Sequence, residues 1–187
     1  MLSTKIWLGV IGIGLMILTG CQVMNSDQRL HLPLMSPEDW SENIQVTQIV
    51  TISSGSQRLK TMTVLRLAPG KITMVILSTI GQRLVTVEYD GKNLNVTNDV
   101  SIEPLPVRQI LSLIQLALWP ERTLQMAYQG KLELVATREL RQVFFAESLA
   151  VEVTLSDWQS DWPNAIQISN HMSAMEISVI TVDLQRL

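Results

Sequence analysis

The feature that most restricts the fold of this chain is a series of short segments in which apolar and polar residues alternate, broken once by a helical pattern. Alternation with a period of two is typical of strands that bury one face. Turn sequences such as Pro69-Gly70 and Asp90-Gly91 separate the early segments, which predicts an antiparallel meander. The predicted strands are residues 43–53, 58–68, 71–78, 84–89, 92–97, 131–137, 140–146, 149–155, 165–169 and 175–184.

The break in this pattern, residues 107–119, is predicted to be a helix. Pro106 suits its first turn and Pro120 ends it. Two further leucines widen its apolar stripe, so the helix is predicted to be buried on more than one side. A shorter helix is predicted over residues 121–128. The apolar side chains at helical spacing are Val107, Ile110, Leu111, Ile114 and Leu118.

The order of strands, two helices and further strands predicts a mainly β fold with α (α+β). The simplest such fold is a curled, half-open antiparallel sheet or barrel, with the apolar helix as a lid or plug. A sheet of this shape has room for an apolar cavity. Residues 32–187 are predicted to form one domain, because they suffice for one core and contain no linker or repeat.

The first twenty-one residues predict a bacterial lipoprotein precursor. Residues 1–20 form the expected signal peptide, with Lys5 before an apolar stretch that is shorter than the ~20 residues of a membrane-spanning helix. The sequence Leu18, Thr19, Gly20, Cys21 matches the lipobox, and Cys21 is the only cysteine. We therefore expect cleavage before Cys21 and lipidation of its thiol. An uncleaved anchor helix is the alternative.

Residues 21–31 are predicted to be the lipidated N-terminus and a polar tether. Gln22, rather than Asp, follows the cysteine, which favours the outer membrane over the inner one, with the protein facing the periplasm. The net charge is −3 and no basic stripe is present, so a nucleic-acid partner is not expected.

The sequence contains few candidates for catalysis or metal binding. His31 and His171 lie far apart and no second cysteine exists, so neither a metal site nor a cofactor is expected. Motifs of serine hydrolases, zinc proteases and P-loop proteins are absent. The chain is therefore predicted not to be an enzyme.

Four sequence blocks resemble a known family. They are Gly81-Gln82-Arg83-Leu84, Glu88-Tyr89-Asp90-Gly91, the segment 105–111, and Gln115-Leu116-Ala117-Leu118-Trp119-Pro120, in that order. The set resembles a domain-of-unknown-function family of uncharacterised proteobacterial lipoproteins. Genes of that family are commonly found beside fatty-acid-synthase-like clusters that make aryl polyene pigments.

That family is similar in turn to the lipoprotein carrier LolA and receptor LolB, half-open barrels with a helical lid over a cavity for acyl chains. The resemblance implies that residues 81–84 and 89–91 form a strand and hairpin of the barrel. The alternative for Arg83 is a polar cavity mouth, where it would face a ligand carboxylate. The implied cavity and lid residues are Ile110, Leu111, Ile114, Leu118 and Trp119. The family motif residues are Gly81, Gln82, Leu84, Tyr89, Asp90, Gly91 and Pro120.

The resulting hypothesis is an outer-membrane-anchored periplasmic lipoprotein that binds a hydrophobic ligand for transfer or localisation. Expected partners are the membrane, through Cys21, an acyl, polyene or lipoprotein cargo, and a periplasmic or export-machinery protein. The alternative is a structural lipoprotein that docks a partner and has no ligand cavity. A lipid hydrolase would need a nucleophile and base facing the cavity, which two separated histidines do not supply.

Overall fold

The structure is a computed structural model that describes residues 31–100, 105–130 and 132–187. The predicted signal peptide and all but the last residue of the predicted tether lie outside the described residues. The lipobox residues Leu18, Thr19, Gly20 and Cys21 therefore also lie outside the described residues.

Every predicted strand and helix is present. Helix α1 spans Val107–Leu118 and α2 spans Glu121–Ala127. The hairpin of β8 and β9 is longer than predicted, because its strands continue to Gln159 and from Trp162. The strands are β1 (Ile44–Ser54), β2 (Gln57–Ala68), β3 (Lys71–Leu77), β4 (Arg83–Tyr89), β5 (Leu94–Asn98), β6 (Leu132–Ala136), β7 (Leu140–Phe145), β8 (Ser148–Gln159), β9 (Trp162–Asn170) and β10 (Met175–Arg186).

The ten strands form one antiparallel sheet in the order β5-β4-β3-β2-β1-β10-β9-β8-β7-β6. Strands β1 to β5 form the first meander and β6 to β10 form the second. The two meanders are joined where β1 pairs with β10, from Ile44 opposite Arg186 to Ser54 opposite Met175. The edge strands β5 and β6 are not paired with each other. The sheet is therefore open: the prediction of a curled, open antiparallel sheet is confirmed, and its barrel alternative is corrected. The chain between the two edge strands forms α1 and α2 instead of continuing the hydrogen-bonded ladder.

One face of the sheet, here called the inner face, packs on α1. Inward residues such as Val46, Leu65 and Met74 are almost fully buried. Within α1 only Arg108 is exposed, so the helix is buried on several sides, as predicted. Burial of this apolar surface, at about 25 cal/mol per Å², is the main stabilising term.

The segment 32–40 covers one end of the inner face. Its short 3₁₀ turn, Pro37–Asp39, is capped by Ser36, whose Oγ accepts a hydrogen bond from the Glu38 N–H at 3.3 Å. This turn lies against Gly70 of the β2–β3 turn and Gly91 of the β4–β5 turn. It closes that end of the sheet.

Candidate functional site

An apolar groove lies between the inner face of the sheet and one side of α1. Ile110 and Ile114 of the helix, together with the preceding Leu105, form one wall. The opposite wall is formed by inward side chains of β1, β2, β3, β9 and β10. The groove therefore follows from the period-two pattern of the strands combined with the helical period of α1.

The groove is open at one end and closed at the other. At the open end, near the β1–β2 turn, Leu59 is 37% exposed and Ile52 is half-buried. Toward the closed end Leu65 and Leu67 on the same strand face are completely buried. We call the end formed by Ile52 and Leu59 the mouth.

The groove has a cavity volume of about 30 Å³. One water needs about 10–15 Å³ on this measure, so the space holds about two waters. Pockets for organic ligands are typically several hundred Å³. A long apolar ligand therefore requires side chains or part of α1 to move.

Three buried polar residues interrupt the apolar sheet wall. Gln48, Thr61 and Thr63 line the groove, and each is 4% exposed. Gln48 Nε2 donates to Thr181 Oγ1 at 3.4 Å, and Thr61 Oγ1 donates to the Val50 carbonyl at 3.5 Å. Both distances are at the long limit for a hydrogen bond. These three residues form what we call the polar patch.

The part of α1 from Gln115 onward is fixed by hydrogen bonds. Gln115 Nε2 donates to the Met35 carbonyl at 2.8 Å, and the Met35 N–H donates to Gln115 Oε1 at 2.9 Å. Arg141 donates from one guanidinium nitrogen to the carbonyls of Leu116 at 2.6 Å and Trp119 at 2.7 Å. A cation suits the C-terminal end of a helix, where free carbonyls concentrate negative charge. Burial lowers the pKa of Arg141 to about 10, and the Glu121 carboxylate opposes this shift.

The five predicted cavity and lid residues do not all face the groove. Ile110 and Ile114 line it. Leu111 and Trp119 are fully buried in the core, and Trp119 packs on Trp40 with ring centroids 5.2 Å apart. Leu118 is partly buried against the same core.

Arg83, the candidate for a polar cavity mouth, is placed elsewhere. It begins β4, is exposed, and forms a bidentate ion pair with Asp99, from Nε to Oδ2 at 2.9 Å and from the terminal nitrogen to Oδ1 at 3.0 Å. It is not among the groove-lining residues. The polar groups of the groove come from β1 and β2 instead.

The motif Tyr89-Asp90-Gly91 builds the β4–β5 turn. Tyr89 is buried and its hydroxyl donates to the Gly91 carbonyl at 3.2 Å. Asp90 accepts from the backbone N–H groups of Asn93 at 2.6 Å and Lys92 at 2.8 Å. These bonds, led by that from the Asn93 N–H, lower the pKa of Asp90 to about 2.

The other motif residues occupy turns or strand ends. Gly81 and Gln82 lie in the β3–β4 turn, and the Gln82 N–H donates to Ser78 Oγ at 3.1 Å. Leu84 is a half-buried residue of β4. Pro120 separates α1 from α2 and is exposed. These four residues belong to a turn, a strand and a helix boundary, and they are not among the residues that line the groove.

Sequence reasoning missed the polar patch, although a signal for it exists. On β1 the inward positions read Ile44, Val46, Gln48, Val50 and Ile52, so one polar residue breaks an apolar series. Thr61 and Thr63 break the series on β2 in the same way. A polar residue at an inward position of a strand is the signal for such a patch.

Within the described ranges, no group of three or more metal-binding side chains comes together. Nor does any helix of those ranges have the length and apolarity to span a membrane.

Comparison with known families gives a match over most of the chain. Residues 45–183 match the family described as Protein of unknown function (DUF3261). The chain belongs to the DUF3261 family. The match runs from β1 into β10, so it covers both meanders and the two helices between them. No curated protein matches the chain.

Two solved structures show limited similarity to this DUF3261 chain. A DUF1329 family protein from Desulfovibrio piger is 11% identical with a TM-score of 0.41, over 79% of this chain and 87% of that one. A domain described as an outer membrane lipoprotein-sorting protein, from Vibrio parahaemolyticus, is 11% identical with a TM-score of 0.36, over 78% and 85%. Similarity at this level does not extend to function.

Proposed function

We propose that this protein is a lipid-anchored protein of the periplasm that binds one hydrophobic chain, acyl, polyene or lipidated, for transfer or localisation at the outer membrane. The observation that supports this most directly is the apolar groove with a solvent-facing mouth at Ile52 and Leu59. Apolar burial would supply the binding free energy, at about 0.8 kcal/mol per buried CH₂ before the costs of association.

Ligand entry requires the groove to widen, and we propose that the part of α1 before Ile114 acts as the lid. The helix from Gln115 onward is fixed through Gln115 and Arg141. The lid part follows Pro106, which provides no side-chain cap, and its Gln109 side chain makes an exposed hydrogen bond to Ser173. Outward movement of the helix around Ile110 would lengthen the groove without breaking the buried bonds.

Native mass spectrometry tests the binding proposal. Residues 21–187 with Cys21→Ser, exported to the periplasm of a bacterial host, should carry one lipid, fatty acid or polyene per chain. Leu59→Trp should reduce this occupancy, because the larger ring obstructs the mouth. Val96→Trp is the control, since Val96 is similarly exposed at 41% but lies on β5 outside the groove. A clean apo mass, without uptake of an added fluorescent fatty acid, would exclude ligand binding.

The lipid anchor has a separate test. The full-length chain should incorporate labelled palmitate and fractionate with the outer membrane, and Cys21→Ser should abolish the labelling. Labelling that persists in the variant would contradict the assignment of Cys21. Fractionation with the inner membrane would contradict the outer-membrane localisation while leaving lipidation intact.

A partner-docking lipoprotein is the second candidate. The small cavity volume favours it, as do the exposed apolar side chains of Ile180 and Val182 on β10, which are 54% and 61% exposed. Two results together would support this candidate. The purified protein should carry no ligand, and a membrane or periplasmic protein that co-purifies with it should be lost when Ile180→Ser and Val182→Ser are combined.

A further inference from the structure

The polar patch restricts the chemistry of the ligand, and this inference rests on the proposed function of the groove. We infer that the preferred ligand is an uncharged apolar chain carrying a neutral hydrogen-bonding group, such as a hydroxyl, ester or amide, within its length. The inference depends on where Gln48, Thr61 and Thr63 lie and on how weakly they are paired.

The patch lies inside the groove and away from its mouth. Thr61 and Thr63 are two and four residues beyond Leu59 on the same face of β2, about 7 and 14 Å inward at ~3.4 Å per residue. Gln48 is the cross-strand partner of Thr63, so these two side chains are neighbours. A ligand that passes the mouth would therefore reach the patch with the middle of its chain.

The patch has unused hydrogen-bonding capacity. An amide side chain can take part in up to four hydrogen bonds. Among the described residues, Gln48 makes one side-chain hydrogen bond, the 3.4 Å contact to Thr181, whose Oγ1 also accepts from Trp162 Nε1 at 3.0 Å. The Thr63 hydroxyl has no side-chain hydrogen bond to another described residue. An apolar ligand that fills the groove would take water away from these groups without replacing its hydrogen bonds, which is unfavourable, so a ligand that supplies a partner gains affinity.

The lining also excludes a charge at this depth. The groove-lining residues that the structure describes are aliphatic side chains, Met74 and the polar patch, with neither an acid nor a base among them. A carboxylate or ammonium carried inward would lose its hydration without an ion partner. A charged headgroup would therefore stay outside the mouth, and the neutral group would bind the patch.

A matched pair of probes tests this inference. Residues 21–187 with Cys21→Ser are titrated with methyl stearate and with methyl 12-hydroxystearate, and binding of each ester is measured by the displacement of Nile red. The hydroxylated ester should bind about three- to tenfold more tightly, the range for one added hydrogen bond between neutral groups. Gln48→Leu combined with Thr63→Val should remove this preference while methyl stearate binds as before or better.

The matched control is Thr73→Val. Thr73 precedes the groove-lining Met74 and so points to the opposite face of the sheet. This control should keep the preference, and circular dichroism should show that all variants are folded. If the double variant is unfolded, Thr63→Val alone should still halve the preference or more.

The two proposals fail in different ways. Equal binding of both esters to the unmodified groove, or a preference that survives in the patch variants, would overturn the inference and leave hydrophobic-ligand binding standing. Absence of any Nile red or ester binding would overturn the proposed function and this inference with it.

Discussion

At the residue scale, the clearest constraint lies in the β4–β5 turn. Gly91 has φ of +90°, a conformation that is unfavourable for residues with a Cβ. A Cβ placed there would approach Ser36 Oγ and Pro37 Cδ at 3.2 Å each. The glycine is thus required both by its backbone angle and by the N-terminal segment packed on it.

Gly91→Ala should therefore destabilise the protein by about 2–3 kcal/mol, from left-handed strain plus the close contact. Gly81→Ala is the control, because Gly81 has φ of +82° and no neighbouring atom within 4 Å of the point where a Cβ would lie. It should cost about 1–2 kcal/mol from backbone strain alone. Urea unfolding measures both values. Equal losses would show that the contact with Ser36 and Pro37 is unimportant.

Asp90 gives a pH-dependent contribution to the same turn. Its pKa is lowered to about 2 by hydrogen bonds from Asn93 and Lys92. A lowered carboxyl pKa stabilises the folded state above the unfolded-state value of 3.8, and this stabilisation is lost as the pH falls toward 2.

Asp90→Asn keeps an acceptor oxygen but removes the charge. The difference in unfolding free energy between the parent and this variant should be constant above pH 5 and shrink between about pH 4 and 2. Urea unfolding at a series of pH values measures it. A difference that does not change across this interval would mean that the charged form of Asp90 adds no stability.

At the element scale, α1 is attached to two other parts of the molecule. Its C-terminal end receives Arg141 from β7, its middle holds Met35 through Gln115, and Trp119 after its last turn packs on Trp40. The helix is thus attached to the N-terminal segment and to the second meander. The part of α1 before Gln115, which contains the groove-lining Ile110 and Ile114, lacks such buried polar ties to other elements in the part of the chain that the structure describes.

Gln115→Leu should destabilise the protein by about 2–4 kcal/mol, because the buried N–H and carbonyl of Met35 both lose their partner. Gln109→Leu, on the same helix, removes only an exposed hydrogen bond to Ser173 and should cost less than about 1 kcal/mol. Chemical denaturation compares the two. In the Gln115 variant, Trp40 fluorescence should also change, since segment 32–40 loses its attachment. Similar losses in both variants would contradict the role of Gln115.

At the scale of the whole molecule, β10 is the strand through which the second meander pairs with the first. It is the last strand in sequence and lies in the middle of the sheet, paired with β1 on one side and β9 on the other. Pairing two strands that are far apart in sequence is entropically costly and slow to form, so both meanders depend on a late, long-range contact.

Removal of residues 175–187 should abolish cooperative unfolding, because the two meanders would no longer share a sheet and each would expose an inner face. Removal of Leu187 alone should leave a cooperative transition, since among the described residues it deletes one backbone hydrogen bond, from the Leu187 N–H to the Asn43 carbonyl. Thermal unfolding followed by circular dichroism measures both. A sharp transition in the longer truncation would show that one meander folds alone.

The sequence by itself determined the local elements and the chemical character of each face. Period-two alternation defined ten strands and helical spacing defined α1, because these depend on neighbouring residues. The lipobox at Cys21 is likewise a local pattern, and it remains a prediction since it lies outside the described residues.

Only the tertiary structure decided which strands meet and which residues face the groove. The pairing of β1 with β10, the open edges and the placement of Arg83 with Asp99 join residues that no local pattern connects. The polar patch has the same origin: Gln48 and Thr63 are inconspicuous along the chain and become neighbours through the register of β1 and β2. Register and long-range pairing are set by the free energy of the whole core, which single segments do not encode.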